Sequence, residues 1–283
     1  MSRPNASRST NGSAPSCVAA DTYPAKNTRR AIVTGASAGI GLAIARRLAA
    51  AGFGVVVNAR RAERLDEVVR ELGSARATAA PGDCAEQPVI DAMLAAAHTR
   101  FGGTPDCVVI NAGRGLAGSV LTSDTAQWEE MVRTNLLGAA RLLRSAAEAM
   151  LAQVAPEELG QHGAWTRTPR DIIVIGSVVG RHVSPFSSMY GATKFGVHGL
   201  VEGARRELAP KGIRVSLVEP GFVVSEFQGV AGYKTDWFEG IKEKIAPMLE
   251  PDDVARVVEF IAMQPAHVHV GDVLVRPTRQ EYP

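Results

Sequence analysis

The chain has 283 residues, of which 46% are hydrophobic, 21% charged and 5% aromatic, which excludes a disordered, collagen-like or disulfide-stapled chain and leaves room for one or two domains. Its net charge is +2, but residues 1–30 hold Arg3, Arg8, Lys26, Arg29 and Arg30 against Asp21 alone, so the remainder is close to neutral and offers no basic face for nucleic acid. Cys17, Cys84 and Cys107 are widely spaced without a CxxC, which argues against zinc and for a reducing cytoplasm; no apolar run is long enough to span a membrane, the stretch 40–57 being broken by Arg46 and Arg47.

Residues 1–28, rich in Ser, Asn, Ala and Pro, show neither helical nor strand period and are expected to form a disordered leader. Arg- and Ser-rich and acid-poor, they superficially resemble a transit peptide but lack an amphipathic helix and a signal-peptide apolar region. Residues 29–283 then read as one domain. Continuous apolar runs at 31–33, 55–57, 108–110, 172–175, 215–218 and 273–275, with a weaker one at 75–79, are the pattern of parallel strands buried on both faces. Between them lie helical stripes: Ile40, Ile44 and Leu48; Leu136, Ala140, Leu143 and Ala147; Val197, Val201, Ala204 and Leu208; Val254, Val257, Val258 and Ile261. The expected fold is α/β: a single doubly wound parallel sheet of about seven strands, order 3-2-1-4-5-6-7, with helices on both faces. Two segments break the rhythm. Residues 152–170 read as a long loop, and residues 221–250, with Phe222, Phe227, Trp237 and Phe238, as a lid or substrate wall.

The first strand runs into T-G-A-S-A-G-I-G, which places Gly35, Ser37, Gly39, Ile40 and Gly41 at a turn and helix start, where free amides and missing side chains suit a pyrophosphate. The acid that would hold an adenosine ribose at the end of the second strand is absent. Arg60 and Arg61 stand there instead, which favours NADP(H) over NAD(H) because a guanidinium can fork onto a 2′-phosphate. Ser177 follows a buried strand, and Tyr190 and Lys194 sit four apart on one helix face, so the three can converge outside the carboxyl edge of the sheet. A nearby ammonium and a cationic nicotinamide would stabilise a phenolate and make Tyr190 a general acid/base.

Together these motifs resemble the short-chain dehydrogenase/reductase family from Arg30 onward. T-G-A-S-A-G-I-G resembles its cofactor loop, N-A-G at 111–113 its fourth-strand motif, Asn135 in R-T-N-L-L-G its helix asparagine, and E-P-G-F-V-V-S-E-F at 219–227 the segment covering the nicotinamide. The resemblance implies that Tyr190 exchanges a proton with the substrate oxygen, that Ser177 hydrogen-bonds that oxygen, and that Lys194 binds the nicotinamide ribose. It further implies that Asn135 holds a relaying water, that Asp83 approaches the adenine, that Asn111, Ala112 and Gly113 line the cofactor, and that Pro220, Gly221, Val223 and Ser225 flank the nicotinamide. It also implies a homotetramer, or a dimer, built on helices around 133–151 and 189–209. Short matches such as R-R-A-E-R-L and Y-G-A-T-K-F-G-V resemble a branch with serine and 3-hydroxy-acid dehydrogenases and the clavulanate-pathway reductase. Ile110, Cys84 and the long 152–170 loop depart from the family pattern.

The expected activity is NADP(H)-dependent interconversion of a carbonyl and an alcohol, in the reductive direction, on a small or natural-product-like molecule. The alternatives are a nucleotide-binding regulator or scaffold without turnover, and an epimerase or dehydratase using a transient hydride step. The regulator reading predicts loss of a catalytic group, and none of Asn135, Ser177, Tyr190 and Lys194 is lost. Arg181, His182 and Lys234 are possible holders of a substrate carboxylate but read more naturally as solvated. His267 and His269 read as a surface strand, not a metal site, and Phe186 and Met189 as possible contacts for a ring or acyl chain.

Overall fold

Each apolar run becomes a strand. In chain order the elements are β1 (Arg30–Thr34), α1 (Gly39–Ala50), β2 (Gly54–Asn58), α2 (Ala62–Leu72), β3 (Ala77–Ala79), α3 (Gln87–Phe101), β4 (Cys107–Ile110), α4 (Trp128–Val132), α5 (Ala139–Leu151), β5 (Asp171–Ile175), α6 (Ser188–Leu208), β6 (Arg214–Pro220), α7 (Phe227–Ala231), α8 (Thr235–Ile245), α9 (Pro251–Ala262) and β7 (Asp272–Val275). The structure is a computed structural model and describes residues 29–153, 168–182 and 185–282. The expected leader at 1–28 and most of the 152–170 loop lie outside the described residues.

The strands form one parallel sheet in the order β3-β2-β1-β4-β5-β6-β7. Alternate residues of each strand point to opposite layers. Ala31, Val33, Val55 and Val57 enter a core shared with α1, α2 and α9, whereas Ile32, Val56 and Val108 enter one shared with α3, α5 and α6. Both faces are therefore apolar, which is why these strands read as unbroken runs. The order reverses between β1 and β4, and such a switch point leaves a crevice at the carboxyl ends of the strands.

The amino edge of the sheet is held by charge. Arg214 forks onto the fully buried Asp171 at 2.7 and 2.8 Å, and Arg29 adds a third bond at 2.9 Å. At the opposite edge, one wide π-type turn (Arg133–Gly138) joins α4 to α5. Of the expected stripe, Leu143 and Ala147 face the core together with Ala139, Leu142, Ala146 and Met150, while Leu136 and Ala140, beside the widened turn, are half-buried.

Residues 221–250 form no strand of the sheet, as expected; they carry α7 and α8, closed at the base by a bridge between Val223 and Leu249. After β7 the chain turns back under this insert. The buried Gln280 accepts the Phe222 N–H at 3.0 Å, and Arg279 donates to the Ala246 carbonyl at 3.2 Å. His267 and His269 lie in a turn before β7 and not in a strand: the Val268 N–H bonds the Pro265 carbonyl, which curls the backbone, and the His269 ring contacts the Val215 carbonyl.

Candidate active site

The crevice is a cavity of about 730 Å³, within the roughly 300–1,000 Å³ of small-molecule sites. One end is backbone. Gly35 and Gly39 have φ of +65° and +54°, a region other residues avoid, and a Cβ at Gly35 would lie 2.8 Å from the Asn111 amide. Gly35, Ser37, Gly39 and Ile40 line the cavity. Gly41 does not: a Cβ there would lie 2.3 Å from the Gly35 carbonyl, so its missing side chain lets α1 pack against the loop rather than exposing backbone to a ligand. No side chain caps the start of α1, which leaves its first amides to an anion. An uncapped helix start beneath a cradle that side chains would fill fits a dinucleotide pyrophosphate.

Arg60 and Arg61 line the same end beyond β2. Arg61 bonds Ser37 at 3.1 Å and Glu226 at 3.2 Å, both half-exposed contacts that an incoming phosphate can replace. Asp83 lines the wall but is already engaged: it accepts from the Ala85 N–H at 2.9 Å and from Arg133, and these contacts hold its carboxyl below the ordinary range against the opposing effect of burial. Beside it, burial pushes the Cys84 thiol up to about 11.

Asn111, Ala112 and Gly113 follow β4 into the cavity wall. Thr34, which the sequence reading did not single out, orders them. Its buried hydroxyl accepts from the Asn111 N–H at 3.0 Å and the Ala112 N–H at 3.1 Å.

At the other end stand the three side chains of the sequence constellation. The Ser177 hydroxyl, which accepts the Val179 N–H at 3.3 Å, is placed to act on the Tyr190 phenol, and the Lys194 Nζ lies 5.8 Å from the Tyr190 ring centroid while donating to the Ile175 carbonyl at 2.9 Å. All three are buried and line the cavity. Burial lowers the Lys194 pKa to about 8. The expected lowering of the Tyr190 pKa is not present in the free protein: burial pushes the phenol above its ordinary value, and the Ser177 hydroxyl offsets only part of that. The ammonium, itself weakened by burial, does not reverse it, so a phenolate needs a further positive charge beside it.

Asn135 sits in the wide turn between α4 and α5 and is buried. Its side chain accepts the Arg114 N–H at 2.8 Å and donates to the Arg114 carbonyl at 2.9 Å and to the Thr193 hydroxyl at 3.1 Å, and Thr193 in turn donates to the Tyr190 carbonyl at 2.8 Å. It thereby ties the 111–114 loop to the first turn of α6. Pro220, Gly221, Val223 and Ser225 line the wall after β6.

Arg181 is no free anion holder. It forks onto the fully buried Glu219 with two bonds of 2.6 Å, and His198, 3.7 Å from the same carboxylate, lies under Gly176 and Gly180, the glycines flanking the Ser177 turn. This cluster joins the Ser177 loop, α6 and β6, and its parts are too far apart in sequence to signal one another. His182 and Lys234 are exposed and outside the wall, and Met189 packs with Leu116 and Met131 rather than into the cavity.

Comparison with known proteins agrees with this geometry. The short chain dehydrogenase family model matches residues 29–234. An uncharacterized oxidoreductase of Staphylococcus aureus (strain USA300) is 33% identical over 248 residues, covering 87% of this chain and 96% of its own, and one from Staphylococcus saprophyticus is 32% identical over 250. Among solved structures, the closed form of serine dehydrogenase complexed with NADP+ superposes with a TM-score of 0.78 at 30% identity, covering 89% of this chain and 96% of that one. An alcohol dehydrogenase from the archaeon Thermococcus sibiricus, complexed with 5-hydroxy-NADP, gives 0.74 at 27%, covering 90% and 99%. The chain belongs to the short chain dehydrogenase family of oxidoreductases, which bind nicotinamide cofactors.

Proposed function

We propose that this protein interconverts a ketone or aldehyde and the corresponding alcohol with NADP(H), as a reductase of a small or natural-product-like carbonyl compound. The observation that carries this reading is the convergence of Ser177, Tyr190 and Lys194, the last one helical turn on, in the wall of a cavity whose far end is a glycine cradle. The bound cofactor supplies the hydride. Tyr190, protonated in the free protein, gives its proton to the carbonyl oxygen, and Ser177 holds that oxygen in line. Lys194 would hold the nicotinamide ribose, and Asn135 would keep the 111–114 loop and α6 in register around it. Preference for NADP(H) over NAD(H) rests on Arg60 and Arg61 where an acid would repel a 2′-phosphate.

Purified protein with NADPH is expected to reduce members of a carbonyl panel, and Tyr190→Phe to bind NADPH as the parent does while losing turnover. Absence of turnover in the parent across the panel, together with unchanged cofactor binding in the variant, would overturn the reading and favour a regulator. Recovery of the cofactor in its starting redox state after complete conversion would favour an epimerase or dehydratase. Substituting Arg60 and Arg61 together by Ala is expected to weaken NADPH binding about tenfold or more while leaving NADH nearly unchanged. Among the described residues no helix is long and apolar enough to cross a membrane, and we place the protein in the cytoplasm.

A further inference from the structure

The cavity is divided by chemistry as well as by position. Its cationic wall residues are Arg60, Arg61, Arg114 and Lys194. The first two stand at the end of β2, Arg114 donates to the Gln127 side chain, and Lys194 to the Ile175 carbonyl. Around Tyr190 the wall is aromatic. The Phe227 ring lies 5.7 Å from that of Tyr190, and Tyr233 and Phe222 lie 5.2 and 6.4 Å from Trp237, all tilted by 40–60°. Phe186 and Tyr282 join the same wall and remain 64% and 54% exposed. Of the wall residues contributed by the insert, Glu226 is charged, and it faces Arg61.

Tilted rings leave edge-and-face surfaces that accept another ring, while a carboxylate placed among them would lose its hydration; among the described residues the cations of this part of the wall, Arg114 and Lys194, already donate to the Gln127 side chain and to the Ile175 carbonyl. Each cation that the sequence offers for a carboxylate is otherwise placed: Arg181 is locked to Glu219, and His182 and Lys234 are outside the wall. We infer that the substrate is an uncharged ketone, or its secondary alcohol, bearing an aromatic ring or a comparably flat hydrocarbon group, and not a hydroxy acid of the kind handled by the branch that the sequence motifs resemble. This rests on the reading of Tyr190 given above. The carbonyl carbon gains hydride from NADPH, which leaves as NADP+; the carbonyl oxygen gains the Tyr190 proton, which solvent restores.

Two ketones that differ only at one end test it: 4-phenylbutan-2-one and 4-oxopentanoate, with pentan-2-one as the unsubstituted reference. The phenyl ketone is expected to show a kcat/KM about a hundredfold above that of the oxo acid. Trp237→Ala, and separately Phe186→Ala at an exposed ring, are expected to lower that value about tenfold through KM, and to affect pentan-2-one far less. Equal or better use of 4-oxopentanoate, or equal losses for all three ketones in a folded variant, overturns the inference. Calorimetric binding of the same ketones to the NADP-loaded protein separates the two readings. Preferential binding of the phenyl ketone without turnover supports the substrate class and sinks the assignment of Tyr190, whereas no preference and no turnover sinks both.

Discussion

Burial holds the free Lys194 ammonium at a pKa of about 8, below its ordinary 10.5. A phosphate-bearing cofactor favours the protonated form, so binding above that pH must take up a proton. NADPH affinity is therefore expected to be flat below pH 8 and to fall above it by up to about tenfold per unit. Titration calorimetry across pH should show the break in the parent protein and not in Lys194→Met. Alcohol oxidation requires the opposite state of Tyr190. Because burial raises that phenol, kcat for oxidation is expected to climb from neutral into alkaline pH while reduction stays level, a contrast that initial rates in both directions will show.

Thr34 shows a different kind of contribution. Replacing it by Val removes the acceptor of two N–H groups in the 111–112 turn, which is expected to cost about 1–3 kcal/mol for each group left unpaired. Urea denaturation would read the loss, together with a raised KM for NADPH. Tyr190, Lys194, Gly35 and Gly39 could be placed at one cavity from the sequence because each stands at a fixed local spacing. Thr34 could not, because its partners lie 77 and 78 residues away and nothing in a lone threonine announces them.

Among the elements, the two edges of the sheet do different work. The carboxyl edge carries the cavity. The amino edge carries the buried fork of Arg214 on Asp171 with Arg29 beside it, and removing the carboxylate by Asp171→Ala strands both arginines without their counter-charge, an expected loss of about 3–5 kcal/mol. A lowered melting temperature with kcat close to the parent value at low temperature would confirm the separation. The strands themselves were read correctly in the sequence because burial on both faces writes an unbroken apolar run. The stripe into α5 was read correctly at Leu143 and Ala147, but its start at Leu136 and Ala140 is only half-buried because a widened turn leaves no compositional mark; α7 and α8 are short and carry few buried residues, so they leave no apolar stripe to read.

Across the whole molecule, Leu137 in the wide turn and Phe195 on α6 remain exposed on the helices from which the family resemblance implies assembly. We expect sedimentation at micromolar concentration to show a tetramer or a dimer, and replacement of both side chains by Glu to shift it toward the monomer, since exposed apolar side chains on a shared face mark association. A parent that sediments as a monomer would remove the expectation.

Residues 279 and 280 fasten the departing and entering stems of the insert that carries the aromatic wall. Grafting 221–250 from a relative onto this scaffold would therefore transplant the side chains without their moorings. Chimeras in which 276–282 travel with the insert should inherit the donor's selectivity, while those lacking it should inherit a loosened chamber that discriminates poorly.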